Sequence, residues 1–556
     1  MQQRHFVKLS ATATAAVLFS RITYASGSAA LINHPDEVWG QADADWFQLK
    51  PTGNGEFSNK DVAISFKTNG NGSGVYVRSP KTILTGVKLK WKHQTAPTAK
   101  TMGDHFERSY GDLAWRGVDR NTKNPWYVLI NDGKHTACFG VKTGPNTICW
   151  WNVGASNLEL TLDTRSGGSG VQLGNRKLHA ADIITMQSTA TENAFATAHR
   201  FCKLMCDKPR LPKQPVYGIN DWYFAYGENS YELIKKTTAM MADLVTDTNN
   251  RPFSVIDAGW AEYSPLLPGD GGWNETYARP NDKFKDMHAM GSEIKKLGMR
   301  PGLWIRPLCA RHDEKESLLL PKIPGRDDPK APILDPTIPE NIERIKGYFD
   351  VYKQWGFEMV KHDYTTYDIF GRWGIKMKDA LTAPNWSFYD KTKTTAEIIN
   401  HLYRSIRGAA GDGIYIIGCN TMSHLSAGQF ELNRIGDDTS GREWPRVKKM
   451  GVNTMAFRLP QHNAFYAADG DCVGVTKDIS WERNKQWMQL LAESGAPLFI
   501  SAQPEATGEA QKKYIKECFA KAAKLQPIGE PLDWMSNPFP SKWKLNGREV
   551  DFNWDL

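Results

Sequence analysis

No stretch of this chain approaches the roughly 20 consecutive apolar residues that a membrane span needs, so no transmembrane helix is expected. Cysteine is sparse. Eight in 556 residues is far below the density of small disulfide-stapled domains. Cys138 and Cys149 are spaced to join across a hairpin, and Cys202 lies near Cys206, but neither pair has the second half of a zinc site. HExxH, a histidine set at ligand spacing and a glycine-rich phosphate cradle are all missing. No metal and no cofactor is expected. Charge of one sign is missing too: the formal net charge of +8 is small for this length and the basic residues are scattered, so no nucleic-acid partner is implied.

What the chain does have is aromatic and apolar residues. Twenty Trp and nineteen Tyr supply flat faces that suit sugar rings and equally fill cores. At 40% hydrophobic, 556 residues can bury large cores and should form more than one domain. At the N-terminus, Arg4 and Lys8 precede an apolar run from Ala11 to Ser20, and Thr23 and Ala25 have small-residue spacing for cleavage after Ala25. This predicts an export signal over 1–25 and a secreted or periplasmic protein. The other reading is an unstructured tail, since Arg21 interrupts the apolar region.

Residues 26–205 read as a β-sandwich. Short alternating runs (VAISFKT, VYVRS, VKLKWKH, WYVLIND, LELTLDT) are separated by Gly, Asn, Asp and Pro clusters. Within them GDLAWRG, Gly111 to Gly117, sets Trp115 in a polar loop, either reaching a neighbouring site or packing its own domain. The proline-rich stretch Cys206 to Gly218 suits a boundary. Over 215–525 apolar strands alternate with helical patterns: a run ending at Trp222, then FSVIDAGW, MRPGLWIRP, FEMVKHD, GIYIIGCN, FELNRIGDD, VNTMAF and APLFIS. Eight such units argue for a closed (β/α)8 TIM barrel. Residues 526–556 are expected to form a short C-terminal β extension.

In such a barrel, function belongs to residues just past the strand ends, because those loops share one mouth. These positions hold Asp221 and Trp222, Asp257 and Trp260, Trp304 and Arg306, Lys361 and Asp363, Cys419 and Asn420, and Arg434, Asp437 and Asp438. Carboxylates across a mouth with aromatic walls fit glycoside hydrolysis, in which one attacks the anomeric carbon and another protonates the leaving oxygen. Asp363 is the candidate nucleophile, kept ionised by the cation Lys361. Asp438, beside Asp437, is the candidate proton donor, because a like charge favours holding a proton. Taken alone, FEMVKHD also reads as a strand end whose charges merely face water.

IDAGW, GLW, VKHD, RIGDD and SGAPLFIS, in that order over residues 215 to 505, together resemble the retaining α-galactosidases of the melibiase-like clan D. The resemblance implies that Asp363 is the nucleophile and that Lys361 binds a sugar hydroxyl. It also implies that the Arg four residues before the acid/base is Arg434, which selects Asp438 over Asp437. Asp257 would hold hydroxyls and Trp304 would form an apolar wall. By their position past the strand ends Trp222, Trp260, Cys419 and Arg434, and from its loop Trp115, are further candidate substrate contacts. The substrate implied is an oligosaccharide or glycoconjugate with a terminal α-galactoside or α-N-acetylgalactosaminide. The pattern departs at Ala258, where many members carry a second Asp, and that shifts preference away from plain galactose. Segments 259–282, with Trp273, and 461–471 are placed to set specificity. Asp469 and Asp471 in the latter are read as turn formers. Two alternatives stay open: a transglycosylase of the raffinose-synthase type, and a catalytically silent carbohydrate-binding barrel.

Overall fold

The computed structural model describes residues 31–556 apart from 33, 70–71, 264–273, 324 and 327–331. The export segment expected at 1–25, and Trp273, lie outside the described residues. Alternation of apolar and polar side chains builds the N-terminal region. In Gly86–Lys92 the side chains of Val87, Leu89 and Trp91 are buried while the intervening lysines face outward, the period-2 pattern of a half-buried strand. Fourteen antiparallel strands form one continuous hydrogen-bonded order. Asp45–Gly53 pairs Glu37–Ala42 through its first half and Glu56–Asn59 through its second, so it carries the ribbon from one layer to the other. All eight cysteines are unpaired and buried. Cys138 lies opposite Leu129 and Met186 in one layer, and Cys149 opposite Leu162 in the other. The hairpin bridge considered for them does not form.

From Tyr217 onward the sheet is parallel. Its order runs from Ala467–Asp469 through Leu432–Arg434, Tyr415–Gly418, Met359–His362, Arg300–Ile305, Phe253–Ile256 and Tyr217–Asn220 to Leu498–Ala502 and Cys472–Val475. The two edge strands are consecutive in the chain, parted only by Gly470 and Asp471, so the sheet curls into a TIM-like barrel whose seventh strand is broken in two. Val255, Met359, Ile417, Leu432 and Phe499 fill the interior. At the N-terminal end of the strands the Arg300 guanidinium lies over Phe253 at 4.1 Å and Tyr415 at 5.0 Å and pairs with Glu358 at 2.7 Å.

The seventh strand is a correction. VNTMAF is helical: Lys448–Asn453 forms a π-type turn and Thr454–Arg458 an α-helix. A short apolar run does not by periodicity separate a strand from a buried helix, and here all six residues of VNTMAF are buried, so burial gives no period either. The strand is AAD plus CVGV, where the Asp471 backbone at φ +74° makes the break. Beyond the barrel, Glu530–Pro531, Lys542–Leu545 and Arg548–Asp551 form a three-stranded antiparallel sheet. Among the described residues no helix is long and apolar enough to cross a membrane.

Candidate active site

Asp363 follows the fourth barrel strand, its N–H bonded to the Ile305 carbonyl at 2.9 Å on the third. Parallel register sets Trp304 beside Lys361, and the Trp304 indole N–H donates to Asp363 Oδ2 at 3.0 Å. The next residue, Tyr364, has φ +65°, a left-handed conformation that a bulky side chain adopts only when its surroundings impose it. That turn aims the Tyr364 N–H at Asp363 Oδ1, 2.7 Å away. The Tyr364 ring meets the buried Arg306, whose guanidinium lies 4.5 Å from it and pairs with buried Asp368 at 2.6 Å. Asp363 is thus an oriented carboxylate with one donor on each oxygen.

Lys361 is committed elsewhere. Its ammonium donates to Asp257 Oδ2 at 2.7 Å, and both side chains are buried. Burial disfavours its charge, but Asp257 outweighs this and holds the ammonium well above the usual lysine range. The hydrogen bonds to Asp363 come from Trp304 and Tyr364, and Lys361 gives it none. Asp257 also accepts from Asn220 at 2.7 Å and from the Ala258 N–H at 2.9 Å. A carboxylate has about four acceptor sites, which leaves room for one hydroxyl. Beneath it Asp221 accepts the Asp257 N–H at 2.7 Å, and burial followed by the Asp257 charge pushes its carboxyl up to about 7.

Asp438 follows the sixth strand and is 38% exposed. Arg434 Nη1 donates to its Oδ1 at 3.1 Å. Arg434 is itself held by Asp471 at 2.7 Å and Asp469 at 3.5 Å, and Asp471 also accepts from Thr439 N–H, Thr439 Oγ1 and Tyr223. Asp469 and Asp471 therefore do more than form a turn: they fix the cation that meets Asp438. Asp437 does not keep Asp438 protonated, because its own charge is taken by Arg108 at 2.7 Å and Arg446 at 2.9 Å. Desolvation raises the Asp438 carboxyl, but Arg108, Arg434, Lys361 and Arg446 together hold it below the usual aspartate range. The Tyr364 phenol is pushed up by burial and then by both Asp363 and Asp438.

Of the residues read from strand ends, Asp257, Trp304, Lys361, Asp363, Cys419, Arg434 and Asp438 surround this mouth. Cys419 is buried with its thiol 3.8 Å from Arg108 Nη1. Trp222 is half-buried just past the first strand, edge-on to Tyr226 at 5.6 Å. Two expected contacts fail. Trp260 is wholly buried among Tyr277, Tyr352 and Trp355, and its indole N–H donates to the Trp304 carbonyl at 2.8 Å. It supports Trp304 from behind. Trp115 packs edge-on against Trp534, in the turn after Glu530–Pro531, at 5.5 Å. Its loop does reach the mouth, but through Arg108. Tyr364 and Trp373, whose rings meet at 5.5 Å, also escaped the sequence reading. Tyr364 was open to detection as the residue after the nucleophile candidate. Arg108 lies far from every barrel motif.

Oriented carboxylates, buried cations and aromatic side chains gather at the C-terminal ends of the barrel strands, joined there by Arg108 of the β-sandwich. The fold is α-galactosidase-like. A Thermus thermophilus α-galactosidase structure with p-nitrophenyl α-D-galactopyranoside superposes at TM-score 0.59 and 15% identity, covering 88% of this chain and 96% of that one. A variant GH36 α-galactosidase from Geobacillus stearothermophilus in complex with raffinose gives TM-score 0.60 at 12% identity, over 91% and 79%. A GH31 sulfoquinovosidase from E. rectale gives 0.55 at 12%, over 94% and 87%. No protein-family model matches the sequence, and no curated protein matches it.

Proposed function

We propose that this protein is a retaining α-glycosidase acting on terminal α-galactosides or close relatives such as α-N-acetylgalactosaminides. Asp363 attacks the anomeric carbon. Asp438 protonates the departing oxygen and then draws a proton from the water that releases the sugar. The observation that carries this reading is the held carboxylate of Asp363, bonded by Trp304 and Tyr364 across the mouth from an Asp438 gripped by Arg434. Lys361 and Asp257 form a polar pair suited to sugar hydroxyls. Ala258, where a second carboxylate would add an acceptor, favours a sugar that offers one hydroxyl fewer, or a different group, at that point. The basic and apolar run of the first 25 residues supports export.

The test is turnover of aryl α-galactosides and α-N-acetylgalactosaminides by the parent protein and by Asp363→Ala. The parent should release the aryl group with retention at the anomeric centre, and a fluorinated slow substrate should leave a glycosyl adduct on Asp363, seen by mass spectrometry. Asp363→Ala should lose all turnover. A parent inactive on every α-glycoside offered, or an adduct on another residue, refutes the reading.

A further inference from the structure

Arg108 belongs to the β-sandwich, yet its side chain ends inside the barrel mouth, 5% exposed. Nη2 meets Asp437 Oδ1 at 2.7 Å, Nη1 stands 3.7 Å from Asp438 Oδ1, and the guanidinium lies over Trp373 at 5.4 Å. The loop that carries it is tied to the barrel on both sides. Ser109 N–H donates to the Ile435 carbonyl at 2.9 Å, and Asp437 N–H donates back to the Ser109 carbonyl at 2.8 Å. Glu107 accepts the Gly374 N–H at 2.8 Å. Gly111 has φ +69°, and a Cβ there would lie 2.2 Å from the Lys449 carbonyl oxygen, so only glycine lets the loop lie this close.

We propose that Arg108 is a positioning residue for Asp438, through which the β-sandwich completes the acid/base end of the barrel. The proposal rests on Asp438 being the acid/base. The charged and titratable groups around Asp438 are Arg434 from the sixth strand, Lys361 from the fourth, Arg446 from the helix Trp444–Val447, Arg108 from the sandwich, the neighbouring Asp437, and the phenols of Tyr223 and Tyr364. Arg434 divides its charge among Asp438, Asp469 and Asp471. Lys361 is spent on Asp257. Arg108 shares its other carboxylate, Asp437, with Arg446, so it keeps the most charge for Asp438. A guanidinium there favours the ionised carboxylate. It keeps Asp438 in the ionised form from which the water-activating half-reaction starts, while making it a weaker base, and it lowers the pH above which Asp438 has no proton to give.

The experiment compares the pH profile of kcat/KM for the parent, Arg108→Met and Arg108→Lys, on an aryl α-glycoside that the parent turns over, with thermal unfolding run alongside. The alkaline limb reports the acid of the free enzyme. Arg108→Met should move it up by about one pH unit, the attraction at this separation being discounted for the exposure of Asp438. Arg108→Lys, which keeps the charge, should restore most of the parent position. Should Arg108→Met not fold, Arg108→Gln serves instead: it keeps a hydrogen-bond donor for Asp437 without the charge and should move the limb in the same direction. A folded, active variant of either kind with an unmoved limb overturns the role of Arg108 and leaves the glycosidase reading intact. A parent without turnover on any α-glycoside overturns that reading, and this proposal with it.

Discussion

Asp221 offers a test that needs no substrate. It is 3% exposed, accepts the Asp257 N–H on Oδ1 at 2.7 Å and the Asn229 side-chain amide on Oδ2 at 2.7 Å. Even so, burial and then the Asp257 charge hold its carboxyl at about 7, against 3.8 for an ordinary aspartate. The native state therefore keeps this proton to higher pH than the unfolded chain does. The stability linked to it is full below the unfolded value and is lost as pH rises toward and through the folded one. At about 1.4 kcal/mol per pKa unit the whole effect is about 4 kcal/mol, of which roughly 2 to 3 kcal/mol falls between pH 5 and pH 8. Asp221→Asn keeps an oxygen for the Asp257 N–H and has nothing to titrate. Its amide also faces the Asn229 amide donor, which costs about 1–2 kcal/mol at every pH. The informative quantity is therefore the pH dependence and not the absolute stability. Urea unfolding of both proteins at pH 5 and pH 8 should show the parent losing about 2 to 3 kcal/mol more than the variant over that interval. Equal losses in the two proteins would refute the argument.

Two further outcomes follow from the same geometry. Trp304→Phe removes the donor on Asp363 Oδ2, a hydrogen bond to a charged group worth about 1.5–3 kcal/mol; kcat/KM on an aryl α-glycoside should fall by about 10- to 100-fold with the fold retained, and an undiminished value would show that this bond does not serve the reaction. Arg306→Met takes the paired guanidinium from the fully buried Asp368 and should lower stability by about 3–5 kcal/mol, whereas replacing both partners with apolar residues should cost clearly less; chemical denaturation of the single and double variants separates the two cases.

The parts of this fold that were legible in the sequence are those whose side chains carry their own period. Val87, Leu89 and Trp91 alternate with lysines and announce a strand. FSVI, MVKH and YIIG are apolar runs that end in polar residues, which is how a barrel strand meets its mouth. The seventh strand escaped because Gly470 and Asp471 cut it into two pieces too short to register, while VNTMAF nearby has strand-like composition. Its conformation is decided by distant partners: Asn453 exchanges hydrogen bonds with Leu113, and Thr454 bonds Ser109. The same limit applies at the site. Asp363, Lys361 and Asp438 follow strands and were readable from position. Arg108 reaches Asp438 across more than three hundred residues of chain, and no local pattern reports such a meeting. The loop around Trp115 was noticed for its tryptophan, whose bulk buries it against Trp534, while the long cationic side chain seven residues earlier makes the crossing. Like-charge reasoning about Asp437 and Asp438 failed for a related reason: the cations that cancel the repulsion come from other elements.

The loop that joins sandwich to barrel also bears on how the gene can be cut. The proline-rich stretch at 206–218 looks like a place to divide the chain, but the site does not divide there. Arg458, wholly buried in the barrel, finds its carboxylate on Asp104 of the sandwich at 2.8 Å, and the segment after the sixth strand takes Ser109 as its hydrogen-bonded neighbour. A barrel produced alone would lose the carboxylate that pairs with Arg458 and the guanidinium that stands against Asp438. The two modules are separable as text and inseparable as an active centre, so transplanting this specificity onto another sandwich means carrying residues 104–115 along with the barrel.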